Sequence, residues 1–268
     1  MPLDFLTKVC RNEDLGQGNF LLSFDAPSFA DSMAPAEFFM IGIPGAETLL
    51  RRPFSVCGLP GTFDDSHPDR YTILVKAMGK GTRLLSELGP GAELTVLGPL
   101  GQGYSLPTDD RPSLIVAGGI GSAPFPALID LLERNGHSRP HMIYGARSSG
   151  DLPLADWFAD RCRSLSITTD DGSQGEEGRV TAPLLRMLKE HPGGLRIYAC
   201  GPDPMLKAVA AIAIEAGVEC QLALEAHMAC GFGVCLGCVV PVIGEDGQPR
   251  YERVCVEGPV MTADRMAW

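Results

Sequence analysis

Four cysteines near the C-terminal end constrain this chain more than any other feature. The run C-G-F-G-V-C-L-G-C spans Cys230, Cys235 and Cys238, and Cys255 follows after sixteen intervening residues. Four residues separate the first pair and two the second, which is the ligand spacing of a plant-type [2Fe–2S] centre. Gly231, Gly233 and Gly237 lie between the ligands. Glycine lets the backbone curl tightly enough for several N–H groups to point at sulfur, where they would stabilise an added electron. The alternative is structural zinc, because four thiolates also suit a tetrahedral ion. A zinc ribbon pairs two C-x-x-C knuckles, whereas Cys255 stands alone, so the spacing favours iron–sulfur.

At 268 residues the chain is long enough for two domains plus a small appendage. The formal net charge of −11 argues against nucleic acid and against an anionic membrane surface as partners. Any cofactor phosphate must therefore be met by local basic residues. Met1 to Val9 carries Asp4 and has no apolar core, so no signal peptide is expected. Ala208 to Ile214, the most apolar helix-like stretch, is too short to span a bilayer. Nine cysteines in this pattern do not form a secreted disulfide framework. Cys10, Cys57, Cys162 and Cys220 read as ordinary thiols, and a reducing cytoplasm is the expected compartment.

Three segments follow from the rhythm of the sequence. Residues 1–105 hold short apolar runs at Phe20–Phe24, Phe38–Ile43, Tyr71–Val75 and Leu94–Leu97, separated by Pro-Gly turns. That pattern predicts a small antiparallel barrel, interrupted by a helix over Thr82–Leu88. Residues 106–220 alternate predicted strands at Ser113–Val116, His141–Tyr144, Leu165–Thr169 and Arg196–Ala199 with predicted helices at Pro124–Arg134, Leu152–Arg161, Thr181–Glu190 and Pro204–Ala216. Such alternation predicts a parallel sheet with helices on both faces. Residues 221–268 form the cysteine-bearing tail, too short for a full ferredoxin domain and expected to fold around its metal. The loop Asp64–Asp69 is polar and carries no chemistry that can be named.

Several stretches have chemistry to offer. In Arg51-Arg52-Pro53-Phe54-Ser55 a guanidinium can fork onto pyrophosphate, Phe54 can pack on a flat ring and Ser55 can hydrogen-bond a ring nitrogen. A solvated basic pair beside a core aromatic is the plainer reading. Gly79-Lys80-Gly81-Thr82 opens a predicted helix, where free N–H groups favour an anion, with Lys76, Lys80 and Arg83 nearby. An ordinary helix cap would look the same.

Gly118-Gly119-Ile120-Gly121-Ser122 is a strand–turn–helix junction that resembles, without matching, the G-x-G-x-x-G turn. It would let a dinucleotide lie against backbone at the carboxyl ends of the strands. Asp170-Asp171-Gly172 follows the third strand of that sheet, and an acid there favours a ribose 2′-OH over a 2′-phosphate, hence NAD over NADP. The interval from Gly121 is about fifty residues rather than the usual ~20, and an Asp-Gly turn is the competing reading. Cys200-Gly201-Pro202 closes the fourth strand and would leave room for a flat ring with Cys200 near its reacting face; a plain βα turn is the alternative. The five histidines have no metal-ligand spacing, and no Ser–His–Asp arrangement can be argued.

Taken in order, R-R-P-F-S, G-K-G-T, L-G-P-L-G-Q-G-Y, A-G-G-I-G-S-A-P, D-D-G-S-Q-G, C-G-P-D-P-M-L and the cysteine run resemble the ferredoxin–NADP reductase superfamily. The tail narrows the resemblance to the electron-transfer subunits of class 1B dihydroorotate dehydrogenases, over nearly the whole length. The resemblance implies an FAD-binding β-barrel, a nucleotide-binding parallel-sheet domain and a C-terminal [2Fe–2S] module. It implies FAD held by Arg52, Pro53, Phe54, Ser55, Leu74, Val75, Lys76, Gly81 and Thr82. It implies NAD near Gly118, Gly119, Gly121, Asp171, Cys200, Gly201 and Pro202, and cluster ligands Cys230, Cys235, Cys238 and Cys255. Ser55 and Cys200 are the residues expected in the catalytic flavin and nicotinamide environment. Phe54 stands where many members carry tyrosine, and Lys76 where arginine is expected.

The implied partner is an FMN-containing dihydroorotate dehydrogenase catalytic subunit, in a two-plus-two heterotetramer of pyrimidine biosynthesis. Electrons from that subunit would reach NAD⁺ through the cluster and FAD, with no side chain of this chain needed as acid or base. The rival readings are a reductase subunit of another complex, such as a sulfhydrogenase or a glutamate-synthase-like assembly, and a non-redox scaffold that binds zinc.

Overall fold

Short apolar runs broken by Gly and Pro-Gly turns become a closed barrel in the computed structural model, which describes residues 2–27, 33–46, 50–63, 67, 69–192 and 194–268. Its strands are β1 (Leu3–Gly16), β2 (Asn19–Asp25), β3 (Phe38–Gly42), β4 (Arg52–Gly58), β5 (Arg70–Lys76) and β6 (Glu93–Leu100). They close in the order β1-β2-β5-β4-β3-β6 with antiparallel neighbours, so no ladder edge stays open. Helix α1 (Lys80–Ser86) lies between β5 and β6. The interior is aromatic: the Phe39 ring meets Phe24 edge-on at 5.5 Å and Tyr71 at 5.7 Å. Burying each such ring is worth about 1.5–3 kcal/mol.

Two differences from the expected barrel have physical causes. The long β1 escaped the sequence reading because only Val9 in it is buried, so it shows no apolar run. Helix α1 begins two residues before Thr82 because the Thr82 hydroxyl sits inside the first turn and accepts the Gly79 N–H at 3.0 Å. The polar loop expected at Asp64–Asp69 lies largely outside the described residues, which omit Asp64, Asp65, Ser66 and Pro68.

The second half alternates as expected: β7 (Ser113–Gly118), α2 (Phe125–Arg134), β8 (His141–Ala146), α3 (Ala155–Arg161), β9 (Ser164–Thr169), β10 (Glu176–Glu177), α4 (Thr181–Glu190), β11 (Arg196–Cys200), α5 (Asp203–Glu215) and β12 (Glu219–Ala223). Helix α3 starts later than the expected Leu152 because Leu154 adopts a left-handed φ of 63° after Pro153. The tail adds a hairpin of β13 (Val239–Ile243) and β14 (Pro249–Arg253), then β15 (Val260–Thr262). The large sheet runs β10-β9-β8-β7-β11-β12-β15, parallel throughout except for β15, which pairs antiparallel with β12.

The tail is therefore built into the sheet. One buried cluster includes Met40 and Leu100 of the barrel, Val116 and Leu222 of the sheet, and Cys238, Val254, Cys255 and Met261 of the tail. A smaller cluster joins Leu21, Cys57 and Leu74 of the barrel to Ala123, with Ile120 packed against it. The three segments read from the sequence thus share cores.

Glu37, just before β3, accepts the Ala34 N–H at 3.0 Å, and burial raises its carboxyl from 4.5 to about 7. The folded state holds this proton more tightly than the unfolded chain. Its contribution is therefore full below the unfolded pKa and is lost as pH rises through about 7. In urea unfolding, Glu37→Gln should gain on the wild type between pH ~5 and ~8. Parallel pH profiles for the two proteins would contradict this.

Candidate redox site at the barrel–sheet junction

The flavin motif read from the sequence assembles at one end of the barrel. Strands β4 and β5 are antiparallel, so the start of β4 (Arg52, Pro53, Phe54, Ser55) and the end of β5 (Leu74, Val75, Lys76) lie at the same end. Helix α1 begins a few residues beyond β5 and brings Gly81 and Thr82 there. A Cβ on Gly81 would lie 2.5 Å from Arg52 Nε, so the guanidinium lies directly against that glycine. This is a fork of donors beside a backbone turn, a donor set that fits a pyrophosphate. Phe54 is partly buried against the barrel core, opposite Phe39 in the ladder, and Leu74 and Val75 are buried. Arg52, Thr82 and Lys76 have local partners, and Arg52 Nη1 donates to the Leu50 carbonyl. The Thr82 hydroxyl accepts the Met78 and Gly79 N–H groups, and Lys76 pairs with Asp151 on the sheet side of the junction.

The nicotinamide motifs meet at the point where the sheet reverses its order. β8 and β9 extend from β7 on one side, while β11 and β12 extend on the other. Ligands of open α/β sheets bind in the crevice at such a switch point. Here the Gly118–Gly121 turn after β7 touches the Cys200-Gly201-Pro202 turn after β11. A Cβ on Gly121 would lie 2.7 Å from the Cys200 carbonyl oxygen and the Gly201 backbone. Tyr144 fastens the turn from beneath: its Oη lies 3.1 Å from the Gly119 carbonyl, 2.9 Å from Ser122 Oγ and 3.0 Å from the Pro153 carbonyl.

The Cys200 side chain is buried, and burial, helped by the Glu225 charge, raises its thiol far above the ordinary value. It stays a neutral thiol, suited to lining an apolar pocket and unsuited to nucleophilic attack. Asp171 is exposed beyond β9, two strands from β7. Its Oδ1 accepts the Ser173 N–H at 3.0 Å and the Ser173 hydroxyl, bonds that hold its carboxyl below the usual range.

The cysteines gather as two pairs. The Cys235 N–H points at Cys230 Sγ at 3.5 Å, and the Cys238 thiol acts on Cys255. Burial works to raise the Cys230 thiol, but the N–H groups of Cys235, Phe232 and Val234 outweigh it and bring it down to about 6. Burial and then the Cys238 thiol push Cys255 up to about 12, while the Gly233 N–H pulls the other way. Among the described residues no three Cys, His, Asp or Glu side chains are gathered as the ligands of a single metal ion would be. Two adjoining pairs, with N–H groups aimed at sulfur, fit a two-iron centre better than one tetrahedral zinc.

The loop is seated on the barrel. A Cβ on Gly231 would lie 2.4 Å from Met40 Cγ and 3.4 Å from Leu100 Cδ1. Met40 faces Pro53 of the flavin motif across the β3–β4 ladder. Met40, on which the cysteine loop sits, is thus one strand from that motif, and neighbouring strands lie about 4.8 Å apart.

The sequence reading did not single out Glu225, which lies two residues beyond Ala223, the ladder partner of Cys200. It follows β12, and although solvent reaches it, the protein around it and then the Asp203 charge raise its carboxyl. Its charge helps raise the Cys200 thiol. Nothing in the local sequence signals this.

A barrel with a basic flavin motif, a parallel sheet with a glycine turn at its switch point, and a four-cysteine loop between them define the ferredoxin reductase class of NAD-linked oxidoreductases. The family model described as the iron-sulfur cluster binding domain of dihydroorotate dehydrogenase B matches residues 225–267. The oxidoreductase NAD-binding domain model matches residues 115–211. The chain belongs to the family of dihydroorotate dehydrogenase B (NAD⁺) electron transfer subunits. It is 37% identical to the Caldanaerobacter subterraneus subsp. tengcongensis member, over 87% of this chain and 86% of that one. Against the Desulforamulus reducens member it is 33% identical over 98% of both. Among solved structures, a chain of the NADH-dependent reduced ferredoxin–NADP oxidoreductase superposes with TM-score 0.81 at 27% identity, covering 98% of this chain and 90% of that one. The FAD- and NADP-bound ferredoxin NADP⁺ reductase of Neisseria gonorrhoeae shares the fold, with TM-score 0.65 at 17% identity, covering 80% of this chain and 92% of that one. As an electron transfer subunit the chain works with a catalytic partner subunit. No helix among the described residues is long and apolar enough to cross a membrane.

Two outcomes follow from the crevice. Gly121→Ala forces a methyl into the Cys200–Gly201 backbone and should weaken NADH binding about tenfold or more, read by flavin fluorescence titration. Unchanged affinity would place the nucleotide elsewhere. Asp171→Ala should lower the NADH-to-NADPH preference in kcat/KM, and an unchanged ratio would remove that residue from ribose recognition.

Proposed function

We propose that this chain accepts electrons from an FMN-containing dihydroorotate dehydrogenase catalytic subunit and delivers them, by way of a [2Fe–2S] cluster and FAD, to NAD⁺. The observation that carries this reading is the seat of Gly231 on Met40, one strand from the flavin motif. When bound, the cluster exchanges single electrons and the flavin links single-electron to hydride chemistry.

The chain's own residues bind, orient and exclude water. Arg52, lying on Gly81, is assigned to the FAD pyrophosphate, and Phe54 and Ser55 to the flavin ring. Leu74, Val75 and Lys76 line the approach from β5, with Thr82 shaping the turn. Leu74 belongs to the same buried cluster as Ala123, and Ile120 of the glycine turn packs on it, so the assigned flavin strand and the nicotinamide turn share apolar packing. Gly118, Gly119, Gly121, Gly201 and Pro202 are assigned to the dinucleotide, and the neutral Cys200 thiol to the floor under the nicotinamide ring. Asp171 is assigned to the adenosine ribose. Cys230, Cys235, Cys238 and Cys255 are assigned to the cluster.

Around the cysteine loop, Phe232, Val234, Leu236 and Tyr251 are exposed, as is Cys235 itself. Apolar side chains crowded at a ligand loop support a covered face in the working complex, with the catalytic subunit as its occupant. We assign two of each subunit to that complex. The nine free thiols support a reducing cytoplasm as the compartment. We assign residues 1–105 to FAD, 106–220 to NAD and 221–268 to the cluster, with β12 crossing the second boundary and β15 returning to the sheet.

Cys235→Ala separates the two routes. It should abolish NAD⁺ reduction by dihydroorotate in the reconstituted complex, while NADH-to-dye activity stays within about threefold of wild type. Full dihydroorotate-linked activity in this variant would overturn the relay, and loss of the dye reaction with FAD still bound would show that the routes are not separate.

A further inference from the structure

Arg253, at the end of β14, is held in a fork by Glu257. Its Nε donates to Glu257 Oε2 at 3.1 Å, Nη2 donates to Oε1, and the Arg253 N–H reaches Oε2 at 2.7 Å. The remaining arm, Nη1, donates to the Gly233 carbonyl at 3.2 Å. Gly233 lies between Cys230 and Cys235, and a Cβ there would come within 3.0 Å of that same Nη1. The Gly233 carbonyl belongs to the peptide unit whose N–H is that of Val234. That N–H is among the backbone groups that pull the Cys230 thiol down, and the Gly233 N–H is the backbone group that pulls against the rise of Cys255. A guanidinium thus bonds one end of a peptide whose N–H acts on a ligand sulfur, and polarising such a peptide strengthens that N–H as a donor. The sulfurs of Cys255 and Cys238 in turn act on the Arg253 charge.

We propose that Arg253 and Glu257 together set the reduction potential of the centre held by Cys230, Cys235, Cys238 and Cys255. Arg253 raises it by adding positive charge to the loop, and Glu257 holds it down by offsetting that charge. The inference rests on the [2Fe–2S] reading of those cysteines. Reduction adds one electron to the centre without making or breaking a bond, so the centre becomes more negative by one charge. Nearby positive charge therefore favours the reduced form, and hydrogen bonds to the sulfurs act in the same direction. Both side chains are about a third exposed, at 34% and 32%, so salt must screen part of the effect. They are positioning residues, since neither binds iron.

EPR-monitored redox titration of the anaerobically purified full-length chain reads the potential directly, with iron and sulfide measured on the same samples. Arg253→Gln should shift the potential to more negative values. Glu257→Gln, which keeps an acceptor for the Arg253 N–H groups, should shift it to more positive values. Arg253→Lys, which keeps the charge and loses the fork, should stay closer to wild type than Arg253→Gln. Raising the ionic strength should shrink both shifts. If Arg253→Gln fails to load its cluster, the positive shift of Glu257→Gln still decides the matter. A Glu257→Gln potential equal to wild type, or shifts of one sign in all three variants as a distorted loop would give, overturns the proposal. Wild-type chain that carries no iron and sulfide would bring down the cluster reading itself, an outcome distinct from a loaded cluster with unmoved potentials.

Discussion

The close approach of Gly231 to Met40 is the contact on which the rest of the arrangement depends. At 2.4 Å from Met40 Cγ there is no room for a Cβ, so the cysteine loop lies flat on the β3 strand of the barrel. Met40 is fully buried, and its ladder neighbour Pro53 sits inside the flavin motif. A larger residue at position 231 would lift the loop and lengthen the path between sulfur and flavin. The other side of the tail is secured independently. β15 pairs with β12, Val260 donates to the Gln102 carbonyl at 3.2 Å, and Leu224 donates to the Pro259 carbonyl at 2.9 Å. The loop is therefore pinned between barrel and sheet, which holds it at one distance from the crevice.

The same logic holds at the junction of barrel and sheet. The crevice is a product of strand order, since β7 and β11 flank the reversal and two glycine-bearing turns meet there. The buried packing of Leu74 with Ala123 and the Lys76–Asp151 ion pair press the flavin end of the barrel onto that crevice. Hydride exchange needs flat rings in contact and dry surroundings, while single-electron exchange needs only proximity. On the proposed assignment, the apolar packing at Leu74, Ile120 and Ala123 serves the first, and the seat of the cysteine loop on Met40 serves the second.

Much of this was legible in the sequence where a motif is local. The cysteine spacing, the R-R-P-F-S run and the glycine turn each carry their chemistry within a few residues. The β/α alternation of the second half was legible because β7, β8 and β11 are buried runs set between helical stretches. Strand β1 was hidden because its residues are largely exposed, and β15 because three residues make no pattern. Long-range contacts left no local trace. Nothing near Lys76 announces Asp151, nothing near Glu225 announces Cys200, and nothing near Arg253 announces the Gly233 carbonyl. The tail's Val254, Met261 and Met266 are buried in the core it shares with the barrel and sheet. That sharing depends on apolar residues far apart in the chain, which spacing alone does not reveal.

The central claim is that four thiolates hold two irons on a loop seated against the flavin end of the barrel. Metal and acid-labile sulfide analysis of anaerobically prepared protein tests it most directly. The account predicts iron and sulfide in equal amounts, two of each per chain, with zinc at trace level. Stoichiometric zinc without sulfide would contradict it.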